Sequence, residues 1–179
     1  MPYAIVLVPA LLLTTLAAVI DWRSRRIPNW LNLLLLVAGL VQSLQAGGSV
    51  SFSMSLLGAV IGFILLLPAF ALRAMGGGDV KLLCAIGAWT GPVGVVAVLL
   101  IATVVGGVIA IAQAAQSGKL AALFRNSLVL SANLVHARRC GADHIRQTAE
   151  SFASIDRPLP YAVPLLAGLL GWVAILAAR

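Results

Sequence analysis

Apolar runs of membrane-spanning length follow one another along most of this 179-residue chain. A helix needs about 20 apolar residues to cross the hydrocarbon core of a bilayer. Six runs reach or approach that length, and the fourth is the shortest: 3–20, 31–46, 52–72, 80–89, 93–115 and 160–178. Because backbone groups in lipid must be satisfied within the structure, these runs predict an all-α fold: a polytopic membrane bundle of about six transmembrane helices.

The composition agrees with a membrane environment. Hydrophobic residues make up 61% of the chain and charged residues 9%, whereas soluble domains carry about 25% charged residues. The length suits one compact bundle, so residues 1–179 are predicted to form a single membrane-embedded domain. Membrane lipid is therefore an expected partner. Nucleic acid is not, because the net charge of +7 lies between the apolar runs and not on a basic soluble module.

The basic residues predict the orientation in the membrane. With the N-terminus outside and the spans alternating, eleven of the twelve Lys and Arg residues fall on the cytoplasmic side, as the positive-inside rule requires. Only Arg179 falls outside. The chain is therefore predicted to be N-out and C-out, with a cytoplasmic loop over about 116–159.

Two aspartates stand where an apolar run meets a polar join. The chain has five acidic residues, and only Asp21 and Asp79 lie outside the stretch 143–156. Asp21 begins "DWRSRRIPN" after the first run, and Asp79 lies in "GGGDVKLL" before the fourth. The predicted orientation places both on the cytoplasmic side. Carboxylates at membrane depth are costly and are candidates for function, although Asp79 could instead be a helix N-cap and Asp21 part of an ion cluster with the nearby arginines.

Two neighbouring carboxylates can share a proton and act as an acid/base pair. The ionised member accepts a proton from water, and the protonated member polarises the scissile carbonyl. We expect Asp79 to be ionised first, because a helix N-terminus favours an anion, and Asp21 to hold the proton. Gly76, Gly77 and Gly78 would let backbones approach closely and leave room for a substrate strand. Lys81 either neutralises charge near the site or extends to the inner surface.

Other kinds of site are weaker. His136, Cys140 and His144 are spaced four residues apart and would share a helix face, but Gly141 interrupts that helix, so no metal site or cofactor is predicted. The histidines come with no nucleophile-elbow motif. Trp22, Trp30 and Trp89 are predicted to lie at the membrane interfaces.

The two aspartate motifs together resemble the type IV prepilin peptidases, which are intramembrane aspartyl proteases of the GxGD type. The resemblance rests on "DWRSRRIPN", which includes Pro28 and Asn29, and on "GGGDVKLL"; "LPYAVPLLAG" resembles the family's last span. It implies that Asp21 and Asp79 are the catalytic pair. It also implies a multi-pass protein of the bacterial inner (cytoplasmic) membrane whose substrate is a prepilin or pseudopilin with a basic leader.

The join after Asp21 departs from the pattern of the bifunctional family members. Those members carry an inserted domain with paired CxxC motifs between the first two spans, whereas this join is short and has no cysteine. The chain thus resembles the peptidase-only, TadV/CpaA-like branch that serves Flp-type tight-adherence pili, with no N-methyltransferase or zinc insert. Archaeal-type preflagellin processing, type II pseudopilin processing and a non-enzymatic membrane assembly factor are the alternatives. The oligomeric state is not predicted.

Overall fold

The computed structural model describes residues 5–45, 50–71, 75–116 and 161–178. These ranges contain helices and turns and no strand, which agrees with the predicted all-α class. The helices with defined bounds are α1 (Val8–Ser24), α2 (Asn29–Gln42), α3 (Phe52–Ala71), α4 (Gly77–Gln116) and α5 (Ala162–Ala177). Most of the predicted loop 116–159, including His136, Cys140 and His144, lies outside the described residues.

The long helix α4 is folded back on itself at Gly91. This residue has φ 69° and ψ −176°, a backbone conformation that is essentially restricted to glycine. A Cβ atom on Gly62 of α3 would lie 2.6 Å from the Leu83 carbonyl oxygen and 3.1 Å from Val95 Cγ2. Gly62 is thus close to Leu83 in the first arm (77–90) and to Val95 in the second arm (92–116). The two arms must therefore lie side by side. The predicted break at Thr90-Gly91-Pro92 is therefore confirmed as a tight reversal.

The first arm of α4 is the centre of the bundle. It packs against α3 through Gly58 and Gly87, whose backbones are in direct contact, so that a side chain on either would collide with the carbonyl of the other. Beside this contact the Ser55 hydroxyl donates to the Ala88 carbonyl at 2.6 Å. Small residues of this kind allow close helix packing in a medium where no hydrophobic effect drives association.

Trp89 is buried inside the bundle and does not face outward as a residue of an aromatic belt would. Its side chain is 3% exposed, and its indole N–H donates to the Leu35 carbonyl at 2.9 Å. Gly39 of α2 lies against the ring, since a Cβ there would come within 2.8 Å of Trp89 Cδ1. Trp22 and Trp30, in contrast, are 69% and 59% exposed. A buried tryptophan needs a partner for its N–H, and α2 supplies it.

The outside of the bundle is apolar. Residues exposed by more than 60% include Leu12, Leu33, Val93, Val104 and Val108. Two helices, Phe52–Ala71 and Gly77–Gln116, are long and apolar enough to cross a membrane, and the second is the one that folds into two arms. Large exposed apolar surfaces are uncommon on soluble monomers. Together these features indicate an integral membrane protein.

Candidate functional site

Asp21 lies near the C-terminal end of α1, where its side chain is 7% exposed. Its Oδ2 atom accepts a hydrogen bond from the backbone N–H of Ala162 at 3.4 Å. Ala162 is the first residue of α5, so the carboxylate lies at the positive end of that helix. Just after α1, Arg25 adopts a left-handed conformation and its N–H donates to the Asp21 carbonyl at 2.8 Å, which ends the helix next to the aspartate.

Asp79 is the third residue of α4 and is only partly exposed. Its backbone N–H donates to the Gly76 carbonyl at 3.2 Å, and this contact starts the helix. The Asp79 carboxyl group is close enough to that of Asp21 for the two to interact electrostatically. Helix α5 packs against both α1 and α4. The fold thus brings together the two aspartates that the sequence singled out.

Among the described residues, the atoms nearest to the three glycines before Asp79 belong to side chains. A Cβ on Gly76 would be 3.4 Å from Asp79 Oδ2, one on Gly77 would be 3.3 Å from Phe70, and one on Gly78 would be 3.3 Å from Ile27. A Cβ on Gly77 or Gly78 would therefore be tightly packed against these side chains but would not overlap them. Among the described residues, two backbones are in direct contact at Gly58 and Gly87, whereas room for a substrate strand at Gly76, Gly77 and Gly78 stays a prediction.

Hydrogen bonds join the two aspartate motifs. Pro28 is extended, with φ −61° and ψ 133°, and its carbonyl accepts from the Leu31 N–H at 3.1 Å, which begins α2. The next residue, Asn29, accepts from Lys81 Nζ at 2.9 Å through Oδ1. Asn32, one turn further, donates to the Gly78 carbonyl at 3.1 Å. All the predicted site residues therefore lie at one end of the bundle, and Lys81 is tied to the first motif.

Three residues of this region were not predicted as site residues. Ala162 donates its N–H to Asp21, Asn32 holds the Gly78 carbonyl, and the Tyr161 phenol lies within electrostatic range of Asp79. Tyr161 and Ala162 belong to "LPYAVPLLAG", whose prolines and tyrosine were a usable signal. Asn32 was detectable as a lone amide in an apolar run.

The chemical groups at this end of the bundle are suited to proton transfer. Two interacting carboxylates, one at the start of α4 and one beside the start of α5, are set in largely apolar surroundings. A shared proton is the expected state of such a pair. In the part of the chain that the structure describes, no three His, Cys, Asp or Glu side chains gather as metal ligands.

Comparison with known proteins matches the part of the chain that contains the two aspartates. The model of the type IV leader peptidase family matches residues 7–111, a range that contains both Asp21 and Asp79. A prepilin leader peptidase/N-methyltransferase of Xanthomonas campestris pv. campestris is 37% identical over 97 residues, which are 50% of this chain and 33% of that protein. A protein of the same name from Aeromonas hydrophila is 41% identical over 94 residues, or 49% of this chain and 32% of the relative.

These matches cover about a third of the length of the curated relatives. No solved structure matches the chain. The family model, however, spans more than half of it, including both aspartate motifs and most of α4. On this match, supported by the two relatives, the chain belongs to the type IV leader peptidase family.

Proposed function

We propose that this protein is a prepilin leader peptidase that uses Asp21 and Asp79 as its catalytic pair. The observation that carries the proposal is that these two carboxyl groups lie close enough to interact electrostatically at one end of the bundle. The family match supports it, because the matching family is that of the type IV leader peptidases. Packing alone does not explain a carboxylate at either position, because burying a carboxylate opposes folding unless it is paired.

The reaction would proceed without a covalent intermediate. The ionised carboxylate takes a proton from water, whose oxygen attacks the carbonyl carbon of the scissile peptide. The protonated carboxyl group hydrogen-bonds to the carbonyl oxygen, on which negative charge develops. The carbon–nitrogen bond then breaks, and the departing amine receives a proton from the pair. That Asp79 is ionised first remains a prediction, because Asp21 is also placed at a helix N-terminus.

The substrate would be a type IV prepilin, with a basic leader in the cytoplasm and an apolar helix in the membrane. In the N-out, C-out orientation with six spans in the inner membrane, both aspartates face the interface where leader and helix meet. Flp-type prepilins are the proposed substrates. Methyl transfer is not part of the proposal, since residues 25–28 alone join α1 to α2 and include no cysteine.

The test is cleavage of a Flp-type prepilin in membranes that contain equal amounts of each variant. Asp21→Asn and Asp79→Asn keep the shape of the side chains and remove the acid. Glu150→Gln, an acid outside both motifs, is the control. We expect wild type and Glu150→Gln to shorten the prepilin at one bond, located by mass spectrometry, and both Asn variants to leave it intact.

Other results would point elsewhere. Cleavage of a type II pseudopilin or a preflagellin in place of the Flp-type prepilin would change the substrate but leave the catalytic pair. A wild-type protein that cleaves none of these would contradict the peptidase proposal and favour the assembly-factor alternative.

A further inference from the structure

A groove opens on the far side of the first arm of α4 from the aspartate pair. Its volume is about 430 Å³, and α2, α3 and α4 supply its walls. Lys81 lines the groove. It follows Asp79 by two positions, so the two side chains leave the helix in directions roughly 200° apart at 3.6 residues per turn. Asp21 and Asp79 are not among the lining residues. The groove is therefore separate from the proposed catalytic pair.

The groove changes from polar to apolar along the bundle. Asn29 and Lys81, at the start of α2 and α4, form one end and are bonded to each other at 2.9 Å. Leu36 lies seven residues further along α2, which is about 10 Å at 1.5 Å per residue. Phe63 of α3 also lines the groove, and its side chain is 42% exposed. Leu33, on the open side, is 61% exposed.

Within the described part of the chain, the polar end holds a cation without a carboxylate partner and an acceptor without a donor. The hydrogen-bond partner of Lys81 among the described residues is the neutral amide of Asn29. Asn32 is 3% exposed; its Nδ2 donates to Gly78, while its Oδ1 is buried and has no partner in the described part of the chain. A buried acceptor without a partner costs about 1–3 kcal/mol. A ligand with both an anion and a hydrogen-bond donor would fit this end.

We propose that the groove binds one phosphatidylglycerol molecule of the cytoplasmic leaflet. Its phosphate would lie against Lys81, its glycerol hydroxyls would face Asn32, and one acyl chain would follow Leu33, Leu36 and Phe63. In this lipid the phosphate and the headgroup hydroxyls lie at one end and the acyl chains at the other, as the polar and apolar parts of the groove do. Free phosphate would leave the apolar wall uncovered, and a basic leader peptide would be repelled by Lys81. The proposal does not depend on peptidase activity.

The probe is phosphatidylglycerol with a photoactivatable diazirine in the acyl chain, in lipid nanodiscs that hold the full chain. After irradiation, peptide mass spectrometry locates the attachment sites. Leu33→Trp fills the open side of the groove, and Leu34→Trp, at the neighbouring exposed position outside it, is the matched control. Lys81→Gln removes the cation, and Arg23→Gln removes one elsewhere. Thermal unfolding shows whether each variant is folded.

We expect attachment to concentrate at Leu33, Leu36 and Phe63 and to fall several-fold in Leu33→Trp and in Lys81→Gln but not in the two controls. Unlabelled phosphatidylglycerol should compete, while phosphatidylcholine and inorganic phosphate should not. Attachment spread evenly around the bundle, or unchanged in Lys81→Gln, would overturn the proposal. Because the readout is attachment and not cleavage, its outcome is independent of whether the proposed peptidase function holds.

Discussion

At the scale of single residues, the main finding is the environment of Asp21. Its carboxylate is buried and accepts the first N–H of α5 from Ala162. This donor is a backbone group 141 positions away along the chain, and any residue except proline provides one. The identity of residue 162 therefore could not indicate the contact, although the prolines and the tyrosine around it marked the segment. By contrast, Asp21 and Asp79 themselves were predicted, because ionisable residues are rare and costly at membrane depth.

Replacing Ala162 by proline tests the role of this N–H. Proline is tolerated in the first turn of a helix but has no N–H to donate to Asp21. We expect Ala162→Pro to lower kcat for prepilin cleavage about 5-fold with KM unchanged, because a hydrogen bond of this length is worth about 1 kcal/mol. The measurement is steady-state cleavage of a detergent-soluble prepilin.

Val163→Pro is the matched control, since its N–H also lies in the first turn, where helix N–H groups lack helical partners. It should retain nearly full activity. Equal losses in the two variants would show that the start of α5 is needed only for folding and that the Ala162 N–H does not position Asp21.

At the scale of helices, α4 shows what could and could not be read from the sequence. Thr90-Gly91-Pro92 predicted a break, and the reversal occurs at Gly91. The short first arm was also expected, because the fourth run, 80–89, is only ten residues long and Thr90-Gly91-Pro92 follows it. The burial of Trp89 was not predicted, since tryptophan is common at membrane interfaces and its contact with Leu35 depends on how α2 packs.

Gly91→Ala tests the reversal. Alanine must then adopt φ 69° and ψ −176°, which costs about 1–3 kcal/mol for a residue with a Cβ. The new methyl group would also lie 3.2 Å from Val50 Cγ1. We expect a lower free energy of unfolding in mixed micelles, measured by tryptophan fluorescence.

Gly107→Ala is the control for the effect of replacing any glycine of α4 by alanine. Gly107 lies in the second arm with no atom within 4 Å of a Cβ placed there, so alanine should leave stability unchanged or raise it by up to about 1 kcal/mol through helix propensity. If Gly91→Ala were as stable as Gly107→Ala, the strained reversal would not be a feature of the folded protein.

At the scale of the whole molecule, the six apolar runs predicted the helical segments well, because lipid leaves few alternatives to a helix. Their orientation in the membrane is a separate prediction from the Lys and Arg residues. It matters for function, because a leader in the cytoplasm can reach the aspartate pair only if that end of the bundle faces inward. In the predicted N-out, C-out arrangement, both aspartate motifs lie on the cytoplasmic side.

Labelling of Cys140 tests the orientation. In a Cys84→Ala background Cys140 is the single thiol of the chain, and it lies in the loop predicted to be cytoplasmic. A membrane-impermeant maleimide should label it in inverted inner-membrane vesicles but not in intact spheroplasts. Alkaline phosphatase fused after Arg179 should be active, since the C-terminus is predicted to be outside. Labelling in intact spheroplasts together with an inactive fusion would show that the orientation is the opposite of the predicted one.

The central claim is that Asp21 and Asp79 act as one catalytic unit, and a double-mutant cycle on prepilin cleavage tests it most directly. Groups that act together give strongly non-additive losses. We expect Asp21→Asn and Asp79→Asn each to abolish nearly all cleavage, and the double variant to be no slower than either single variant. If one single variant kept substantial activity, or if the two losses multiplied in the double variant, the two aspartates would not form the pair described here.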